Sequence, residues 1–227
     1  KESKVVDLAC GTGALTNLII RKNSKARILA RDLSKEMIRY YKKNFSKEIN
    51  YGRISVQIGN AEKISKIARN KYDYVFISSA LWDLELDVLI NDLSKILKKG
   101  GKVIFNLPAL VVERETGFIY FIEHFFRQTL KSDIIYRRIP IRLLKDKFSK
   151  KSFGLVRMKD YGFNMPKNNV KKFFDVLRYR YPFILFPKEM PYAEKLNRCT
   201  EIFNDSLRYV PKEGLEEKGV IFVFEKK

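Results

Sequence analysis

The sequence is poor in the side chains that bind metals and form disulfides. Its 227 residues include two cysteines, Cys10 and Cys199, and a single histidine, His124. Two cysteines are too few for the disulfide framework of a small secreted domain, which favours a reducing, cytoplasmic environment. We therefore expect no bound metal, and we interpret Cys10 as a small apolar filler at the end of a buried strand.

Long apolar runs are also missing. No run reaches the roughly 18 residues that a membrane-spanning helix needs, and the richest one, FIYFIEHFF at residues 118–126, contains Glu123 and His124. No signal-peptide pattern precedes the first predicted strand. The chain begins on Lys1 rather than on methionine, which is typical of a trimmed start or of a piece of a longer protein. We expect no membrane span.

Positive charge is in clear excess, with 46 lysines and arginines against 26 acidic residues and a net charge of +20. The excess is even, because residues 1–108 and residues 109–227 each carry +10. One denser stretch, residues 127–151, has nine basic residues against Asp133 and Asp146. Such a stretch could bind RNA or an acidic carrier protein, or it could be an amphipathic helix with a solvated lysine face.

The first half alternates strand and helix patterns. Short β-rich runs occupy residues 5–10, 26–30, 54–58, 74–77 and 103–105, with helical periodicity between them. Ser34 is placed to cap the helix that carries Met37, Tyr41 and Phe45. Strands joined by helical crossovers predict a doubly wound α/β domain with a parallel sheet covered on both faces.

The second half is less regular but still patterned. It predicts an aromatic helix within residues 109–141, an amphipathic helix at IRLLKDKF and a strand at FGLVRMKDYGF. Residues 168–209 look helical between prolines, and GVIFVFEKK predicts a last strand. No internal repeat or linker is visible, so we expect one domain, residues 1–227, with a helical insertion in its second half.

The stretch VVDLACGTGALT, residues 5–16, joins the first strand to a helix through two glycines. A nucleoside-triphosphate loop would end in Gly-Lys-Ser/Thr, which is absent, and a dinucleotide turn would have a third glycine where Thr16 stands. Gly11 and Gly13 instead allow a polar ligand to approach the backbone closely at a helix N-terminus.

Five segments resemble, in order, the motifs of the class I S-adenosylmethionine-dependent methyltransferases, and most closely the broad group that modifies small molecules. They are VVDLACGTG, ARDLSKEMI, IGNAEKI, YDYVFISSALWDLE and LKKGGKVIFNLP, which lie within residues 5–108. The resemblance implies a Rossmann-like, seven-stranded doubly wound sheet. It also implies S-adenosylmethionine as cofactor, a cofactor-binding half at residues 1–108 and an acceptor-side half at 109–227.

The resemblance implies cofactor contacts for Asp7, Ala9, Gly11, Gly13, Asp32, Leu33, Asn60, Ala61 and Ser78. Asp32 would accept hydrogen bonds from both ribose hydroxyls, and Leu33 would pack on the adenine. Asp7 would lie near the ammonium group, or would only tie the turns together. Asn60 stands where the family often has an acidic residue, so its contact with the adenine amino group would be weaker, or it is a plain turn residue. Ser78 and its neighbour Ser79 would end the fourth strand beside the reactive methyl group, or serve only for packing.

The acceptor is less clearly indicated. We expect O- or N-methylation of a small molecule, and the basic stretch keeps open an RNA acceptor or an acyl group on a carrier protein. A non-catalytic, cofactor-binding scaffold is a further alternative. His124 is the candidate general base, with Tyr120, Tyr179 and Tyr181 behind it, although an exposed or capping histidine would explain it equally well.

Overall fold

The computed structural model of the protein describes residues 2–68, 71–130, 138–180, 186–187 and 189–227. Its first half runs β1 (Lys4–Leu8), α1 (Ala14–Lys22), β2 (Arg27–Asp32), α2 (Lys35–Asn44), α3 (Ser46–Asn50), β3 (Ile54–Ile58), β4 (Tyr72–Ile77), α4 (Leu86–Ile96) and β5 (Leu97–Pro108). The alternation of strands and helices predicted from the sequence is confirmed. Ser34 caps α2 as predicted, because its hydroxyl accepts a hydrogen bond of 3.2 Å from the Met37 amide.

The second half runs α5 (Phe118–Leu130), α6 (Ile141–Ser149), β6 (Phe153–Met165), α7 (Lys167–Arg180), α8 (Tyr192–Ser206) and β7 (Leu215–Lys226). The aromatic helix, the amphipathic helix and the last strand are therefore present. Short 3-10 turns lie at Ala61–Lys66, Leu81–Asp83, Ala109–Val112 and Leu207–Tyr209. Within the described ranges, no helix has both the length and the apolar character needed to cross a membrane.

The seven strands form one sheet in the order β3-β2-β1-β4-β5-β7-β6. The pairs β1–β2, β2–β3, β1–β4 and β4–β5 are all parallel. This order confirms the doubly wound fold. From β1 the chain adds β2 and β3 on one side, and it then crosses back to add β4 on the other side of β1. In parallel strands the carboxyl ends meet at one edge of the sheet, and the segments that follow β1 to β4 are gathered there.

The chain divides into two compact units. Unit 1 comprises residues 1–107, 139–159 and 220–227, and unit 2 comprises residues 108–138 and 160–219. One core of unit 1 lies between strands β1 to β3 and helix α2, where Ile38, Tyr41 and Phe45 are buried. In unit 2, helices α5, α7 and α8 share a core that includes Phe126, Phe174 and Phe203.

Several strand boundaries differ from the sequence prediction, and two of these differences have a clear cause in the backbone. β1 ends at Leu8 rather than at Cys10, because Ala9 adopts a positive φ of 53° that breaks the extended strand. β5 begins at Leu97, six residues before the predicted start at 103, and follows α4 directly. The extension contains Gly100 at φ 76°, and the pairing with β4 shifts register between Tyr72 and Tyr74. A glycine with positive φ lets the strand absorb this irregularity.

Candidate cofactor site at the carboxyl edge of the sheet

The glycine turn after β1 reverses the chain tightly. Ala9, Gly11 and Gly13 all have positive φ, at 53°, 53° and 94°, and the Gly13 amide donates to the Cys10 carbonyl over 2.9 Å. A Cβ added to Gly11 would meet no atom within 4 Å, so open space lies beside this residue. The turn therefore presents bare backbone to that space, as a binding turn requires.

Gly13 is glycine for a different reason. A Cβ at this position would lie 2.2 Å from the Phe45 ring and 2.9 Å from the Tyr41 ring. Both aromatic residues are buried and belong to the core beneath α2. The turn is thus held against a packed aromatic pair, whose rings lie 4.7 Å apart between centroids. Only a residue without a side chain fits this contact.

Asp32 links the end of β2 to the glycine turn. Its Oδ2 accepts a hydrogen bond of 2.8 Å from the Gly11 amide, and its Oδ1 accepts one of 2.9 Å from the Ser34 amide. A carboxylate has about four lone-pair sites, so each oxygen keeps one further site after these two bonds. The side chain is therefore fixed in direction and can still accept from two neighbouring hydroxyl groups.

Asp7 is buried beneath the turn, with 1% of its surface exposed. Its Oδ2 accepts a 2.6 Å hydrogen bond from the Thr16 hydroxyl, which also shares a 2.8 Å bond with the Tyr41 hydroxyl. Burial raises the pKa of Asp7 to about 6, although the bond from Thr16 opposes the rise and the charge of Asp32 adds to it. This network ties β1, α1 and α2 together. An additional contact with a bound ammonium group stays a prediction.

The turn after β3 uses Asn60 as a cap. Its Oδ1 accepts from the Glu62 amide over 2.7 Å, and its Nδ2 donates to the Glu62 carboxylate over 3.2 Å. Ala61 is the first residue of the 3-10 turn, where an amide has no partner within the turn itself. Leu33 is 73% exposed, which is unusual for a large apolar side chain next to a fixed carboxylate. An apolar ligand surface could cover it.

The turn after β4 carries two serines in different roles. Ser79 has a positive φ of 53°, and its amide donates to the Asn106 side chain over 2.9 Å. Asn106 returns a bond of 3.2 Å to the Ser79 hydroxyl. Ser78 is exposed, consistent with its predicted position at the end of the strand. Asn106 was not predicted as a site residue, although it lies in the fifth motif segment, because a lone asparagine in an apolar strand does not indicate its partner.

Arg31 is a second residue that the sequence analysis passed over. It is 9% exposed, and its guanidinium lies over Gly59, where an added Cβ would come within 2.3 Å of Nη2. Its Nε and Nη1 are buried and have no hydrogen-bond partner among the described residues. A charged residue in the otherwise apolar run before Asp32 was the available signal. Its guanidinium restricts the turn that leads to Asn60.

His124 lies on α5 in unit 2, and its side chain is exposed. The Gln128 side-chain nitrogen is 2.9 Å from its Nε2, within hydrogen-bonding distance. The Tyr120 ring lies 5.9 Å away between centroids. Tyr181 and the side chain of Tyr179 lie outside the described residues.

A cavity of about 540 Å³ adjoins this histidine within unit 2. Three aromatic side chains line it together with a charged pair, and its residues are Phe121, His124, Phe125, Gln128, Asp205, Arg208 and Tyr209. The Arg208 Nη1 and the Asp205 Oδ1 are 3.5 Å apart. The cavity combines apolar walls with groups that can form hydrogen bonds.

Residues 5–101 match a family model described as a methyltransferase domain. The motif segments that form the turns of the carboxyl edge lie inside this range, and the fold around them is the one that the family motifs imply. The matched residues therefore form a methyltransferase domain with the fold of the class I S-adenosylmethionine-dependent methyltransferases. S-adenosylmethionine is the cofactor of this family.

Two curated relatives each match less than half of this chain. A malonyl-[acyl-carrier protein] O-methyltransferase of Priestia megaterium is 34% identical over 107 residues, which are 47% of this chain and 37% of that protein. A demethylmenaquinone methyltransferase of Leptospira interrogans is 28% identical over 98 residues, which are 43% of this chain and 39% of that protein. The matches span less than two fifths of the length of either relative.

Among solved structures, the phosphoethanolamine N-methyltransferase 2 of Haemonchus contortus, in complex with S-adenosyl-L-methionine, superposes with a TM-score of 0.56. The identity is 15%, and the match covers 100% of this chain and 49% of that one. At this identity the likeness establishes the methyltransferase fold and leaves the acceptor open.

Proposed function

We propose that the protein transfers a methyl group from S-adenosylmethionine to a small-molecule acceptor, by O- or N-methylation. The observation that carries this proposal is the fixed carboxylate of Asp32. The Gly11 and Ser34 amides hold one lone pair on each of its oxygens, and the two remaining sites suit the pair of hydroxyls on a ribose. This geometry lies beside the open space at Gly11.

Each of the other predicted contacts would bind a different part of the cofactor. The turn of Ala9, Gly11 and Gly13 would hold the methionine portion, with Asp7 beneath it. The exposed Leu33 would pack on the adenine, and the Ala61 amide would donate to the ring. Ser78 would lie beside the reactive methyl.

Asn60 fits the adenine less simply than the sequence suggested. Its carbonyl oxygen already caps the 3-10 turn by accepting from the Glu62 amide. It would accept from the adenine amino group through its second lone pair. The contact would be weaker than one made by the acidic residue that is common in the family.

The sulfonium of S-adenosylmethionine supplies an activated methyl group with a neutral leaving group. The protein's own task is to align a nucleophile and to exclude water, so proximity accounts for much of the rate. A general base is needed only for an acceptor that arrives protonated. His124 is our candidate for that role, and its Nε2 would become available as a base once Gln128 turns away.

We test the proposal by transfer of a radiolabelled methyl group from the cofactor into an extract of the source organism. Products are separated into small molecules, protein and RNase-sensitive material. We expect the label in the small-molecule fraction. Label removed by RNase would replace the proposal with an RNA acceptor, and no label despite cofactor binding would favour a non-catalytic scaffold.

A second candidate acceptor is an acyl group on an acidic carrier protein. One relative is named as a malonyl-[acyl-carrier protein] O-methyltransferase, and the exposed side chains of Arg142 and Lys145 give α6 a basic surface. Lys147 and Lys150 on the same segment are already paired, with Asp87 and Asp146. Label recovered on an acidic protein and released by mild alkali would support this acceptor.

We also propose that residues 1–227 act as one functional domain with a cytoplasmic location. The two cysteines are free and buried, which suits a reducing compartment. Residues 1–108 would bind the cofactor, and residues 109–227 would select the acceptor.

A further inference from the structure

A second cavity lies in unit 1, at the end of the sheet where strands β1 to β3 begin. Its volume is about 450 Å³, within the range of small-molecule sites. Lys4 and Arg27 are the first residues of β1 and β2, and Arg53 immediately precedes β3, so all three line the cavity from the amino ends of parallel strands. The candidate cofactor turns follow the carboxyl ends of these strands. The two sites are therefore separate.

Arg53 lines this cavity, and two of its guanidinium nitrogens are unused as hydrogen-bond donors among the described residues. Its Nε and Nη2 are shielded from solvent and have no hydrogen-bond partner in the described part of the chain. These two nitrogens donate in parallel along one side of the guanidinium, which is the arrangement that grips two oxygens of a phosphate or carboxylate. Burying such donors without an acceptor is unfavourable, so a turn of the guanidinium into the cavity, where an anion would accept from both nitrogens, is favoured.

The backbone around Arg53 is held firmly. Its amide donates to the Glu48 carbonyl and its carbonyl accepts from the Ile28 amide, each over 2.9 Å. Gly52, with φ at 68°, makes the turn that leads into this position. The side chain is thus anchored on backbone that is hydrogen-bonded on both sides, which fixes the point from which the guanidinium reaches into the cavity.

The charges of the lining indicate which anion is suited. Lys4, Arg27 and Arg53 contribute three positive charges and Glu2 one negative charge, so the lining has an excess of two. Glu2 pairs with Arg27 over 2.9 Å. A phosphate monoester carries about −1.5 to −2 at neutral pH and matches this excess better than a carboxylate does.

The rest of the cavity suits a small body attached to that phosphate. Ser55 and Gln57 project from β3 and offer hydroxyl and amide groups, whereas Leu29 and Ile67 are apolar. From these features we propose that the cavity binds a small phosphate monoester, with Arg53 gripping the phosphate. The proposal is independent of the methyl-transfer function, because none of these residues belongs to the candidate cofactor site.

Ribose 5-phosphate and inorganic phosphate are the probes for the test. The full chain, labelled with ¹⁵N-arginine, is titrated at constant ionic strength while the Nε–H resonances are followed. We expect saturable movement of the Arg53 resonance. In Arg53→Met the affinity for ribose 5-phosphate should fall about tenfold or more, and in Arg53→Lys, which keeps the charge without the fork, it should fall less.

The matched control is Arg21→Met, which removes an exposed arginine on α1 that does not line the cavity. Its affinity for the probe should change by less than about twofold, since only general charge is lost. S-adenosylmethionine binding is measured on every variant, and it should be unchanged in Arg53→Met. This readout separates loss of the phosphate site from loss of folding or failure of the cofactor assignment.

Several results would overturn the proposal. One is an Arg53 resonance that does not move in the unmodified chain, a readout that needs no variant. Equal losses in Arg53→Met and Arg21→Met would show attraction by the net charge alone. Stronger competition by a single-stranded oligoribonucleotide than by ribose 5-phosphate, at equal phosphate concentration, would make this edge a nucleic-acid surface instead. Acetate that displaces the probe equally well would show a general anion site.

Discussion

The two units use their polar and apolar residues in contrasting ways. In unit 1, single side chains fix turns at the strand ends, as Asp32 does through the Gly11 and Ser34 amides. In unit 2, the three helices are held by a shared core of aromatic and aliphatic residues. The family model ends at residue 101, inside the continuous first segment of unit 1. A turn that must meet a ligand needs particular residues at fixed spacing, whereas a helical core needs only apolar residues at helical spacing.

The largest expected effect comes from removing the carboxylate that this comparison singles out. Asp32→Ala deletes two acceptors for the ribose and the tether of the Gly11 amide. Hydrogen bonds to a charged group are worth about 1.5–3 kcal/mol each, so the affinity for S-adenosylmethionine should fall by roughly 1,000-fold or more. Isothermal titration calorimetry measures the change.

Asp32→Asn is the matched control, since it keeps the shape and one acceptor oxygen, and it should give an intermediate loss. A melting curve shows whether both variants are folded. Unchanged affinity in Asp32→Ala would place the ribose elsewhere and remove the carboxylate from the site.

The second effect is a pH dependence within unit 1. The pKa of Asp7 is raised from 3.8 to about 6, so the folded state holds this proton more tightly than the unfolded chain does. The stability that the protonated Asp7 contributes to the folded state is fully present below pH 3.8 and is lost as the pH rises through about 6. Asp7→Asn removes this dependence. Relative to the unmodified protein, its free energy of unfolding should rise by about 3 kcal/mol from acidic to neutral pH.

Urea denaturation across this pH range measures the difference. Thr16→Val supplies the control, because it removes the hydroxyl bond that lowers the pKa of Asp7. The loss of stability in that variant should move to higher pH. Parallel stability curves for Asp7→Asn and the unmodified chain would show that Asp7 is not the group that titrates.

The smallest effect concerns unit 2. Phe126 is 1% exposed and meets the edge of the Phe203 ring at 5.1 Å between centroids, so Phe126→Leu should lower the free energy of unfolding by about 1 kcal/mol. Phe173→Leu makes the same substitution at a side chain that is 37% exposed and should cost about 0.5 kcal/mol or less. Both should leave S-adenosylmethionine affinity within about twofold. A large loss of affinity in Phe126→Leu alone would contradict the division between the two units.

The same contrast explains what the sequence could and could not predict. The Ser34 cap and the two glycines of the turn were predicted because each depends on residues close together in the chain. The division of residues 108–138 and 160–219 from the rest was not foreseen, since apolar periodicity does not say which helices share a core. Spacing along the chain was therefore enough to predict the turns, whereas the division into two units depends on tertiary packing.

Within the candidate site, the failures also have physical causes. The use of the Asn60 oxygen by the Glu62 amide depends on the dihedral angles of one turn, which a sequence pattern does not fix. The link between Ser79 and Asn106 joins residues 27 positions apart. The burial of Arg31 depends on the absence of a side chain at Gly59, which immediately follows the neighbouring strand β3. Each of these contacts exists only after the strands have paired.

The contact between Gly13 and Phe45 has a consequence for how this sequence can vary. Because a methyl group at position 13 would occupy the space of the Phe45 ring, the two positions are not free to change independently. Alanine at position 13 becomes possible only after position 45 has become smaller, and the φ of 94° would still cost about 1–3 kcal/mol. The glycine turn is therefore constrained together with the residue that ends α2, and a survey of natural or selected variants should find the two positions changing as a pair.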